Sequence, residues 1–152
     1  MKKSAPSPKL RVLIADDDED DRQMLCEAMS DVKIEISVHN VHNGEKLMEY
    51  LAECNANLPD LIFLDLQMPR KNGFECLIEI RTGAKFKDTI IAIYSTSISE
   101  QDIDSTFHAG ANIFITKPKS HEELQKILKD IFKINWHIHN SRLSRETFVM
   151  KR

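Results

Sequence analysis

Apolar runs of strand length alternate along this chain with stretches whose apolar residues recur every three or four positions. "LRVLIA" (10–15) is a short apolar strand, and a helical pattern follows through Met24, Leu25, Ala28 and Met29. "IEISVHNV" (34–41) alternates Ile34, Ile36 and Val38, which predicts a strand with one face less buried. "GEKLMEYLAE" (44–53) predicts a helix, and "LPDLIFLD" (58–65) a buried strand after a proline. The next helix, 73–82, carries Phe74, Leu77, Ile78 and Arg81 at helical spacing, and "TIIAIYS" (89–95) is again a strand. Ser99 opens a helix with Asp102 three places on, a capping spacing that Ser120 and Glu123 repeat after the last strand, 112–116.

Strand and helix thus alternate five times. Short, wholly apolar strands separated by helices predict an α/β fold with a parallel sheet covered on both faces. Right-handed crossovers leave few topologies, of which we expect the flavodoxin-like doubly wound (βα)5 order, 2-1-3-4-5. The expected layout is a flexible leader at 1–9, one domain over 10–134 and a tail at 135–152 without a separate output domain.

In that order the first and third strands are neighbours, and ligands bind beyond their carboxyl ends. The acidic run "ADDDEDD" (15–21) begins where the first strand stops, so Asp16 and Asp17 stand at that end. Strand three ends in Asp65, strand four in Ser95 and Thr96, and strand five in Lys117 and Pro118. Three carboxylates in one crevice raise one another's pKa and resist ionisation, a conflict that a divalent cation removes. Hard oxygen ligands favour Mg2+, with Mn2+ as the alternative. Asp18 to Asp21 are then expected to form the solvated first turn of the helix.

Composition narrows the function. With 152 residues, 41% hydrophobic and 30% charged, the chain suits one soluble domain. A net charge of −3 argues against a general nucleic-acid binder. Cys26, Cys54 and Cys76 show no C-x-x-C spacing, and Cys76 is expected to be a packed thiol. No stretch is long enough to span a membrane and "MKKSAPSPKL" has no signal-peptide core, so a cytoplasmic location is expected. The "HIH" at 137–139 in an extended tail offers too few ligands for zinc.

The segments "LIADD", "PDLIFLDLQMP...NG", "IYSTS" and "GANIFITKP" together resemble the receiver domain of two-component response regulators. The chain is similar in particular to the short receivers that pair with phytochrome-type and other sensor kinases. The resemblance implies that Asp65 accepts a phosphoryl group, and that Asp16, Asp17, Asp65 and the backbone carbonyl of Gln67 hold Mg2+. It further implies that Ser95, with Thr96, and Lys117 bind the phosphoryl oxygens, that Phe114 is an aromatic switch, and that Lys117–Pro118 is a cis peptide. Gln67 and Ser97, each two places beyond a site residue, are expected to tune the phosphoryl lifetime. The implied partners are a sensor histidine kinase or phosphotransfer protein upstream, and a protein partner or second copy downstream. The latter would dock on helix four, strand five and helix five, through Ile103, Phe107, Phe114 and Leu124, with Trp136 and the basic tail at the edge. No nucleic acid or membrane partner is expected. Two alternatives are an aspartyl-nucleophile phosphatase or phosphotransferase, and a phosphorylation-independent binding module. The first lacks an acid two places after Asp65, where Gln67 stands, and the second leaves five intact site residues unexplained.

Overall fold

The computed structural model describes residues 9–134 and 136–150, so 1–8 of the expected leader lie outside the described residues. Five strand–helix units follow one another: β1 (Leu10–Ala15), α1 (Glu19–Ser30), β2 (Ile36–Val41), α2 (Gly44–Glu53), β3 (Leu61–Leu64), α3 (Gly73–Arg81), β4 (Ile90–Ser95), α4 (Glu100–His108), β5 (Ile113–Thr116) and α5 (His121–Lys133). Two short helices, α6 (Trp136–Ser141) and α7 (Arg145–Phe148), then lead to β6 (Val149–Met150). The sheet is parallel with order β2-β1-β3-β4-β5-β6, the expected doubly wound order extended by one strand.

Alternation along each strand sorts the core into two layers. Leu13, Ile62, Leu64, Ile91, Ile93 and Phe114 face one way, packed by α2, α3 and α4. Val12, Ile14, Phe63, Ala92, Ile113 and Ile115 face the other, under α1 and α5. Leu25, Ala28 and Met29 are buried on α1, while Met24 is half-buried.

Several expectations shift at the level of detail. β2 begins two residues late, leaving Ile34 exposed, and β3 spans only 61–64, although Asp60 N and Asp65 N beside it still donate to β1 or its end. Ile78 turns outward from α3, and Cys76 takes the buried place instead. Ser99 and Ser120 cap their helices by accepting from Asp102 N and Glu123 N, which is the serine half of the capping box their spacing predicts; Asp102 instead takes the Ser97 hydroxyl. A reciprocal capping box occurs at Asn72 and Glu75. Residues 137–139 lie in α6 rather than an extended tail.

At the end of the sheet remote from the strand tips, Arg81 closes α3. Its guanidinium donates to the carbonyls of Gly110 (2.9 Å), Phe86 (2.7 Å) and Thr89 (2.9 Å) and to Asn112 Oδ1 (2.7 Å). Gly110 takes the left-handed conformation (φ 101°) that ends α4, and Arg81 packs against it so closely that a Cβ would lie 3.1 Å from Cγ.

Candidate functional site

Parallel pairing of β1 with β3 sets the first two carboxylates side by side. Asp65 N donates to Ala15 O at 2.9 Å and Asp16 N to Val41 O at 3.2 Å, so both residues leave the sheet at the same level. Asp16 Oδ1 accepts from Asp18 N at 3.0 Å, and Asp18 in turn caps α1 through Asp20 N and Asp21 N. Arg22, one turn into α1, donates to the Asp16 carbonyl at 2.6 Å. One carboxylate oxygen from each of Asp16, Asp17 and Asp65 lies within 4.8 Å of the others. Asp16 and Asp65 are buried, and Asp17 is exposed at the mouth.

Lys117, following β5, reaches into this cluster. Its Nζ lies 2.9 Å from Asp16 Oδ2, 2.8 Å from Asp21 Oδ2 and 3.3 Å from Asp65 Oδ2. Burial alone would lower the Lys117 pKa, but hydrogen bonds to Asp21 and Asp16 and the Asp65 charge hold it above the ordinary value. Asp16 is raised as well, which for an acid favours the neutral form: burial raises it to about 6, opposed by the Asp18 N–H and Lys117 and reinforced by Asp65. Asp16 Oδ2 is buried, and the Lys117 ammonium 2.9 Å away is its charge partner. Three carboxylates that each turn an oxygen to one point, two of them buried, fit a divalent cation ligated by oxygen.

The rest of the site is set by backbone contacts. Ser95 is buried at the tip of β4; its Oγ accepts from Ser97 N at 3.2 Å, and its carbonyl accepts from Lys117 N at 2.8 Å. Thr96 is exposed beside it. Gln67 is exposed, with its N–H 3.3 Å from Asp65 Oδ1. Gly73 matters here through what it lacks, since a Cβ would lie 2.0 Å from the Asp65 carbonyl oxygen. Only a glycine lets α3 start against the Asp65 backbone, where Gly73 N donates to Leu66 O at 2.9 Å.

The family model of the response regulator receiver domain matches residues 12–129. The chain belongs to that family. Among the relatives of this receiver is the response regulator Rcp1 of Synechocystis, 27% identical over 86% of this chain and 91% of that protein. The 3',5'-cyclic-nucleotide phosphodiesterase regA of Dictyostelium discoideum is 28% identical over 95% of this chain, which spans only 18% of that protein. The crystal structure of the phosphorylated cyanobacterial phytochrome response regulator RcpA matches with TM-score 0.75 and 33% identity, covering 82% of this chain and 91% of that one. The Mn2+-bound form of Rcp1 matches with TM-score 0.73 and 26% identity, over 82% of this chain and 91% of that one. Receiver domains act as signalling switches and work with histidine kinases or phosphotransfer partners. The acidic cluster of this receiver and the Mn2+-bound relative are consistent with divalent metal binding. Among the described residues, no helix is long and apolar enough to cross a membrane.

Asp16, Asp17, Asp65 and Lys117 therefore converge as their strand-end positions predict, with Ser95 at the tip of the adjoining strand, and four features differ. Asp21 is no bystander of a solvated turn; it pairs with Lys117, because α1 turns its first-turn acid back over the site. The Lys117–Pro118 bond is trans, for among the described residues no peptide is cis; trans remains the favoured state of X–Pro bonds by about 0.5–1 kcal/mol. Ser97 Oγ donates to Asp102 Oδ2 at 2.6 Å, so this hydroxyl is engaged by α4. Phe114 is fully buried already, so it has no exposed position from which to turn inward, and Leu124 lies in the opposite core layer. Gly73 stands in the "PDLIFLDLQMP...NG" segment without a role there, and Arg22 has no sequence signal, since a helical i, i+6 reach to a backbone carbonyl leaves none.

Proposed function

We propose that Asp65 accepts a phosphoryl group from a phosphohistidine donor and that the modified receiver signals through a protein contact. The observation that carries this reading is Asp65 at 6% exposure, clustered with Asp16 and Asp17 and with the Lys117 ammonium 3.3 Å from its carboxylate. A carboxylate oxygen of Asp65 attacks phosphorus, the P–N bond to the donor imidazole breaks, and the leaving nitrogen keeps the electron pair. Lys117 meets charge on the equatorial oxygens, and the Ser95 hydroxyl, with Thr96 beside it, donates to a second one. Mg2+, held by Asp16, Asp17, Asp65 and the Gln67 carbonyl, would neutralise the remaining charge, with Mn2+ able to replace it. Gln67 stands exposed two places beyond Asp65, and it tunes the lifetime by shaping the path of attacking water. Ser97 tunes it indirectly, by holding the loop after β4 to Asp102. The similarity to Rcp1 and RcpA supports a phytochrome-type sensor kinase as donor, with residues 10–134 as the receiver unit.

Incubation with acetyl phosphate and Mg2+ should place one hydroxylamine-sensitive phosphoryl group on Asp65. Asp65→Asn should abolish it, as should chelator. Full labelling of Asp65→Asn at another residue would overturn the assignment. Gln67→Ala and Ser97→Ala should label fully but change the dephosphorylation rate; an unchanged rate in both would remove them from that role.

A further inference from the structure

The face of α4 and β5 is already covered, by a later segment of the same chain. Ser144 caps the single turn of α7, which delivers Phe148 against that face. Phe148 is 0% exposed, its ring 5.3 Å from that of Phe107 on α4 and 6.1 Å from that of Phe114 on β5. Arg145 donates to Asp104 and Glu100, both on α4. Val149 and Met150 pair in parallel with Phe114 and Ile115. The segment is thus tied to two elements at once.

Both elements touch the phosphoryl site. Ser95 Oγ holds Ser97 N, Ser97 Oγ holds Asp102 on α4, and Lys117 follows β5 directly. A groove of about 480 Å3 is lined at once by Lys117, Ile98, Ile103, Val149 and Met150. We propose that residues 143–150 form an in-chain latch over the α4–β5 face, seated while Asp65 is unmodified and released when Asp65 is phosphorylated. The inference rests on the phosphoacceptor reading above.

The direction follows from the double attachment. When Ser95 Oγ turns to a phosphoryl oxygen, its bond to Ser97 N is given up, and α4 is freed to shift relative to β5. A segment that bridges the two fits only one of their relative positions. What holds it is modest: one buried ring, two ladder residues, and ion pairs whose acids are 77% and 53% exposed. Release uncovers Phe107, Phe114 and the edge of β5, an apolar surface with unpaired backbone groups that a protein partner can take up.

Amide exchange of the full chain, with and without beryllofluoride and Mg2+, tests the latch. Exchange at Phe148 to Met150 should rise by about tenfold when the mimic binds, within the usual span of coupled sites. Arg145→Glu should raise the same exchange without the mimic and, by reciprocity, bind beryllofluoride several-fold more tightly. Unchanged protection at 148–150, with the mimic bound at Asp65 by chemical shift, would overturn the latch. Unchanged beryllofluoride affinity in Arg145→Glu would overturn it too. Failure of the mimic to bind at all would instead defeat the phosphoacceptor reading, and the coupling with it. A dimer by light scattering in which 148–150 stay protected would replace the in-chain latch by exchange of the segment between copies.

Discussion

A carboxylate buried beside two others is costly to keep ionised, and in this receiver Asp16 bears that cost. Its folded pKa of about 6 exceeds the ordinary 3.8. The folded state therefore holds this proton more tightly, and the stability it contributes is present below pH 4 and lost as pH rises through about 6. In chelator at pH 7.5, Asp16→Asn should stabilise the fold by about 1–3 kcal/mol, since each pKa unit is worth about 1.4 kcal/mol. Urea denaturation checks this, and the Mg2+-dependent gain in stability should vanish in the same variant. Cys76 offers a second test: burial raises its thiol to about 11, while Cys26 and Cys54 are partly exposed. Native protein at pH 8 should take up maleimide at those two thiols, with Cys76 reacting only on unfolding. The residues legible in the sequence were those fixed by strand ends. Asp21 was not, because which way a first-turn acid points depends on how α1 is rotated against the sheet.

Elements were legible where period and caps agreed, and their limits were not. Five strands and five helices could be read because each carries its own apolar signal. α7 and β6 could not, since a four-residue turn and a two-residue strand have no period to detect. They exist because Phe148 finds a cleft between α4 and β5, which is a tertiary fact. The start of α3 makes a sharper prediction. Gly73→Ala should destabilise by about 1–3 kcal/mol, as an overpacked position does, because the obstructing atom is backbone. The same variant should bind Mg2+ more weakly, since α3 must move off the Asp65 carbonyl. Asn72→Ala removes only the cap, and should cost about 1 kcal/mol by urea denaturation with Mg2+ affinity unchanged.

At the scale of the whole molecule, the sheet order was legible because alternating strand and helix with right-handed crossovers admits few arrangements. What no pattern announced is how firmly the far end of the sheet is tied. Arg81 gathers four acceptors there, three of them backbone carbonyls, two from the loop before β4 and one from the turn after α4. Arg81→Lys keeps the charge but loses the planar fork, and should cost about 1–3 kcal/mol by urea denaturation through unsatisfied carbonyls. The consequence reaches across the molecule to α4. Its C-terminal end is nailed to Arg81 through Gly110, whereas its N-terminal end hangs on two bonds at Asp102, whose carboxylate accepts from the Ser97 hydroxyl and whose N–H donates to Ser99 Oγ. A helix held in that way is a lever with its fulcrum at Gly110: pushed at Ser97, it swings rather than slides, and travel grows along its length of roughly 13 Å. Glu100 and Asp104 lie out along the arm and Phe107 beside the pivot, so the Arg145 ion pairs part first and the Phe107–Phe148 contact lets go last.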